Sequence, residues 1–129
     1  MKRKNLEFLI GFLDALRRDD RDAVRAALKP DIVWQGVRPD LICHDADEVT
    51  DMFVGNRDHH YREIERVELI GAGRHAILHA AGGDVTEVAG IPLQDGMYNV
   101  FAIENGIAVR IDDYAERRAA FEAAGLEPD

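Results

Sequence analysis

Cysteine is almost missing from this sequence: Cys43 stands alone in 129 residues, so no disulfide can close within the chain. Nothing asks for an oxidising compartment, and a reducing cytoplasm is the default. Basic residues are scarce as well. Sixteen Lys and Arg face 25 Asp and Glu, a formal net charge of −9. Nucleic acid and anionic membrane both need concentrated positive charge, found here only in the first four residues, so neither is expected as a partner. Long apolar runs are lacking too. The run after Lys2-Arg3-Lys4 is interrupted by Glu7 and Asp14, and no small-residue cleavage site precedes Arg17-Arg18-Asp19-Asp20, so it reads as a soluble helix rather than a leader. No stretch approaches the roughly 18 apolar residues of a membrane span, and no internal repeat is evident. A small apolar molecule suits such a chain better as partner.

What is present suffices for one domain over residues 1–129. With 47% apolar residues, one core burying about two-thirds of the unfolded surface is expected. Leu6, Leu9, Ile10, Leu13 and Leu16, widened by Phe8 and Phe12, recur at helical spacing and predict a helix over about 5–18. Asp20 caps a second helix running to Leu28, closed by Pro30. Asp31 to Val37 switches to strand composition and carries Trp34, the only tryptophan, which either fills core or offers its ring and N–H to a ligand. Asp45 and Glu48 have capping-box spacing ahead of a third helix ending near Gly55.

The rest reads as strands: an imperfect one from about His60 to Ile70, a turn at Gly71-Ala72-Gly73, and a second strand from Arg74 to Ala81 broken by Gly82-Gly83-Asp84. A longer loop from Gly90 to Gly96 leads to a hairpin, Met97 to Glu104 and Gly106 to Tyr114, around the turn signal Asn105-Gly106. Helices first and consecutive antiparallel strands after them make an α+β pattern, with helices grouped on one side of a curved antiparallel sheet and a cone-shaped cavity between.

Within the last strand, alternation places Ile107, Val109, Ile111 and Asp113 on one face. If that face is the core, Asp113 is aimed into the interior, where desolvation raises its pKa toward the range useful for proton transfer. Alternatively the strand ends one residue earlier and Asp113 caps the helical tail Ala115 to Gly125. No cofactor motif emerges. His75 and His79 would lie two pleats apart on a strand, about 13 Å, too far to share a metal, so no metal site is expected. Cys43 beside His44 reads as a passive thiol in a loop.

With these elements the chain resembles the nuclear transport factor 2-like superfamily, and within it the SnoaL-like polyketide cyclase and limonene epoxide hydrolase branches. The resemblance spans almost the whole chain. It rests on Phe12-Leu13-Asp14-Ala15-Leu16, Asp31-Ile32-Val33-Trp34-Gln35, Asp47-Glu48-Val49 and Asp113-Tyr114. It implies a cystatin-like cone with the N-terminal helices packed on the concave side of the sheet. It leaves function open, because the superfamily houses isomerases, cyclases, epoxide hydrolases, dehydratases and proteins without chemistry.

An epoxide-hydrolase-like site implies a buried Asp-Arg-Asp arrangement helped by a Tyr and an Asn. Asp113 matches its final aspartate, but Trp34 stands for the Tyr, Gly36 for the Asn, and the strand that should supply Arg and Asp reads Ile77-Leu78-His79-Ala80-Ala81-Gly82. A SnoaL-like isomerase or cyclase needs less: one carboxylate moving a proton next to a carbonyl, and a donor for the enolate oxygen. Asp113 is the candidate acid or base. His79, Tyr98, Asn99 and Trp34 are candidate donors according to strand phase, and Phe101 and Ile111 line the substrate. The other function class is a non-catalytic module holding an apolar ligand or acting through a dimer surface. Trp34, Phe53, Phe101, Ile107, Val109 and Ile111 are expected to be buried around one cavity. A homodimer through the outer sheet face follows from the helices covering only one face.

Overall fold

The apolar stripe of the first segment folds as α1 (Lys2–Arg17), burying Leu9, Phe12, Ala15 and Leu16. Asp20 then accepts the Ala23 N–H at 3.1 Å and caps α2 (Arg21–Ala26). The structure is a computed structural model that describes residues 2–59, 66–81, 87–88, 91–93 and 96–127. Its further elements are β1 (Leu28–Gln35), β2 (Ile42–Cys43), α3 (Ala46–His59), β3 (Arg66–Ala72), β4 (His75–Ala81), β5 (Glu87–Val88), β6 (Ile91–Pro92), β7 (Met97–Glu104), β8 (Ile107–Tyr114) and α4 (Arg117–Ala123). The expected start of a strand at His60 to Glu65, the break at Gly82 to Asp84 and the side chains of His59 and His60 lie outside the described residues.

Two local signals act as their chemistry requires. Asp45 Oδ1 accepts the Glu48 N–H at 2.8 Å, and Glu48 Oε1 reaches back to the His44 N–H at 3.1 Å, closing the start of α3 with a reciprocal cap. Asn105 and Gly106 take φ of 52° and 81°, the two successive left-handed residues that a tight hairpin turn needs.

The fold is α+β, with a six-stranded curved, unclosed sheet in the order β2-β1-β8-β7-β4-β3. Every pairing is antiparallel except β1 with β8, which run parallel. That pairing moves the end of the second helix. Leu28 already faces Ala108 across the ladder, so α2 stops at Ala26, and Pro30 falls in the irregular stretch between Leu28 and Val33 rather than after a helix. The loop expected before β7 contains part of the small β5–β6 hairpin.

Helices α1, α2 and α3 cover the inner face of the sheet. Their Leu9, Phe12, Leu16, Val24, Val49 and Phe53 pack with Ile32, Trp34, Leu78, Phe101 and Ile111 of the strands. The single core expected from chain length is in fact two apolar layers separated by one sheet. On the outer face α4 lays Ala120, Phe121 and Ala124 over Ala72, Ile77, Tyr98 and Val100. The premise that helices cover only one face is therefore corrected: the C-terminal helix covers much of the other.

Burial agrees with expectation for Trp34, Phe53, Phe101 and Ile111, but Ile107 and Val109 are only half-buried. A bulge is the reason. Ala102 pairs with Arg110 and Ile103 with Ala108, leaving Val109 as the extra residue. Alternation slips at that point, and Ala108 takes the buried place.

Candidate functional site

Asp113 lies inside β8, paired directly with Asn99 of β7. It is not a helix cap: α4 begins after Glu116, whose side chain makes no capping bond. Beyond the bulge Asp113 keeps the phase of Ile111, so its carboxyl points to the inner face. It sits one row past the layer in which Trp34, Ile111, Phe101 and Ala76 neighbour one another. That layer is filled with rings. Trp34 stacks on Phe53 at 4.4 Å, and Phe12 meets Phe53 and Phe101 edge-on at 5.1 and 5.5 Å. Along the inner face past Asp113, cover thins: Met97 is half-buried and Val67, on β3, is 45% exposed.

One carboxylate oxygen is held from two sides. The Trp34 indole N–H donates to Asp113 Oδ1 at 2.7 Å, and the Asn99 amide donates to the same oxygen at 2.6 Å. Both bonds favour the ionised form, but burial opposes them and wins. Desolvation, helped by the nearby negative charge of Asp112, pushes the Asp113 carboxyl from 3.8 up to about 7. The residue keeps some exposure at its surface, while its carboxyl is packed on the protein side. Among the described residues Oδ2 has no hydrogen-bond partner and no cation pairs with the group. An acid so placed exchanges protons near neutral pH, and because Oδ1 already faces two N–H donors, the proton is carried by Oδ2.

The sheet register decides which sequence candidates meet. Asn99 and Trp34 converge on Asp113, and Phe101 and Ile111 share its face in the adjoining layer. His79 and Tyr98 lie on the outer face, where their rings stack at 4.0 Å and 3° beneath α4. There His79 Nδ1 lies 3.1 Å from Glu68 Oε1, and Glu68 accepts from Arg117 at 2.9 Å. These two side chains do not reach the Asp113 carboxyl. Trp34 gives its N–H to Asp113 rather than keeping it for a ligand.

Cys43 was expected in a loop but belongs to β2, directly opposite Trp34. Burial pushes its thiol up, with Glu48, Asp113 and Asp45 adding to the effect, so it stays neutral. Gly36, at the position of the missing Asn, is closed off by Leu41, whose Cβ would lie 2.7 Å from an added Cβ. Among the described residues no group of three or more His, Cys, Asp or Glu is placed to hold a metal. Among the described residues no helix is long and apolar enough to cross a membrane. An open cleft of about 490 Å³, lined by Leu28, Pro30, Ala46 and Ile107 among others, lies at the opposite end of β8, about 20 Å from Asp113 by strand rise.

No protein-family model matches the chain, and no curated protein matches it in sequence. Solved structures do match. An NTF2-like protein from Burkholderia xenovorans LB400 aligns with a TM-score of 0.62 at 15% identity, over 88% of this chain and 90% of its own. A proposed polyketide cyclase from Sinorhizobium meliloti aligns at 0.56 and 18%, over 84% and 94%. An LEH-like epoxide hydrolase from M. tuberculosis aligns at 0.58 and 18%, over 95% and 90%. At such identities the shared property is architecture: the chain has the nuclear transport factor 2-like, cystatin-like fold.

Proposed function

We propose that the inner face of this domain binds a small, uncharged, largely apolar molecule and that Asp113 acts on it as general acid and base, moving a proton next to a carbonyl as a SnoaL-like isomerase or cyclase would. One observation carries the reading. A desolvated carboxyl is held by one oxygen and is poised at about 7, and among the described residues its other oxygen is unpartnered and no cation keeps it ionised. Fold likeness to a proposed polyketide cyclase and a proposed ketosteroid isomerase is compatible with that chemistry. Epoxide hydrolysis fits less well, since the strand that would supply the arginine and second carboxylate, β4, turns Ala76, Leu78 and Ala80 to the inner face instead.

A second reading, a non-catalytic binding module, is favoured by the ring-filled layer behind Asp113, which leaves little polar apparatus to stabilise a reacting oxygen. Exchange of ketone α-hydrogens for solvent deuterium separates the two. The protein should accelerate exchange in an aryl methyl ketone such as 2-acetylnaphthalene, and Asp113→Asn should abolish it. Exchange no faster than buffer with wild type leaves the binding module.

A further inference from the structure

Asn99 is 4% exposed, and its side-chain bonding is incomplete. Its Nδ2 donates to Asp113 Oδ1, while among the described residues its amide oxygen has no hydrogen-bond partner. The orientation is set by chemistry: turned the other way, the amide oxygen would face an oxygen that already accepts from Trp34, so only the N–H₂ can sit there. A buried acceptor left unpaired costs its desolvation without the return of a hydrogen bond. Asn99 and Asp113 are direct partners across β7 and β8, joined through Asn99 Nδ2 and Asp113 Oδ1, so this acceptor and the unpartnered Oδ2 belong to two side chains in contact on the same face. Around the pair the inner face is apolar, with Leu78 next to Asn99 and Met97 two residues along β7.

We infer that Asn99 Oδ1 and Asp113 Oδ2 form a paired acceptor and donor for a ligand that carries a hydroxyl next to a carbonyl, an uncharged α-hydroxyketone. The ligand's hydroxyl donates to Asn99 Oδ1, and its carbonyl accepts the proton on Asp113 Oδ2. A simple ketone satisfies only Asp113, and a simple alcohol can donate to Asn99 Oδ1 but offers Asp113 a hydroxyl rather than a carbonyl oxygen. Because Asp113 donates only while protonated, carbonyl binding is full below about pH 7 and falls tenfold for each pH unit above it. The inference rests on the reading that the inner face at Asp113 takes a ligand, and names the substrate class that this face prefers.

The probes are 2-acetylnaphthalene and its hydroxymethyl counterpart, 2-hydroxy-1-(2-naphthyl)ethanone, titrated calorimetrically into the full chain. At pH 6 the hydroxyketone should bind about tenfold more tightly than the ketone, the worth of one hydrogen bond to a buried acceptor. In Asn99→Val that ratio should fall to about one, whatever the variant does to Asp113, because both probes feel Asp113 alike. In wild type both affinities should weaken above about pH 7, and in Asp113→Asn they should not. Should Asn99→Val fold poorly, the wild-type Asn99 ¹³Cγ resonance serves instead, shifting with the hydroxyketone and not with the ketone.

Equal affinities in wild type, a ratio surviving in Asn99→Val, or no binding of either probe overturns the inference; equal affinities would mean that only water pairs with Asn99. The catalytic reading fails separately. Absent deuterium exchange with the tenfold ratio intact removes catalysis and leaves the recognition pair. Exchange with equal affinities does the reverse.

Discussion

The Trp34 indole donates to Asp113 Oδ1 at 2.7 Å across the parallel β1–β8 pair, so the sheet's parallel ladder aims the chain's only tryptophan at the one carboxyl that is strongly raised among the described residues. The same indole stacks on Phe53 of α3 at 4.4 Å. Ring packing thus fixes the donor, and the donor fixes which oxygen of Asp113 is left for a proton.

Asp113→Asn should raise stability at pH 8. The folded pKa, about 7, lies above the ordinary 3.8. The stabilisation linked to the proton is therefore present in full below the ordinary value and is lost as pH climbs through the folded one. The amide keeps an acceptor toward Trp34 and Asn99 and carries no charge to desolvate. A gain of about 2 to 4 kcal/mol is expected at pH 8, vanishing near pH 4. Thermal melts of both proteins from pH 4 to 8 measure it, and a variant melting lower than wild type at pH 8 contradicts the buried acid.

Trp34→Phe keeps a six-membered ring against Phe53 and removes the N–H donor together with the five-membered ring that carries it. That bond lowers the Asp113 pKa, so the variant should titrate above wild type in ¹³C spectra of the Asp113 carboxyl. Beyond a pH-independent loss for the cavity left in the core, the missing hydrogen bond should cost about 1.5–3 kcal/mol where Asp113 is ionised and about 1 kcal/mol where it is neutral. A loss independent of pH would mean that Trp34 serves packing alone.

Arg117 ties α4 to the outer face through Glu68 at 2.9 Å and lies 4.5 Å over the Phe121 ring. Arg117→Ala should cost about 1 kcal/mol, discounted for exposure, and should speed amide exchange in α4 more than in α1. The Arg117 bond holds the Glu68 carboxyl below its ordinary 4.5, with His79 assisting against some burial. This contribution is present above the ordinary value and lost as pH falls through the folded one. Exchange in α4 should therefore quicken below about pH 4.5 in wild type and change little in the variant.

Asn5→Ala should cost about 1–3 kcal/mol. The buried Asn5 amide of α1 donates to the carbonyl oxygens of Gly73, in the β3–β4 turn, and, at 3.1 Å, of His75, which begins β4. Chemical denaturation gives the loss. A neutral result would show that α1 is held by its apolar stripe alone.

What the sequence determined by itself was local. The Leu9, Phe12 and Leu16 stripe, the Asp45–Glu48 cap and the Asn105–Gly106 turn depend on neighbours a few residues away, and each acts in the fold as its spacing predicts. The inward aim of Asp113 was legible as one of two alternatives, because Ile111 and Asp113 alternate on one short stretch, and the fold chose it over a helix cap. Tertiary structure decided the rest. Whether Asn99 or Tyr98 shares the face of Asp113 is a question of register between two strands, answered by the Asn99–Asp113 pairing. The bulge at Val109 changes which residues are buried without a glycine or proline to mark it. Cover of the outer face by α4 depends on Phe121 meeting strands far away in the chain. The raised pKa of Asp113 comes from burial beside Trp34 and Asn99, residues 79 and 14 positions distant, and desolvation is a property of packing that no short stretch of sequence contains.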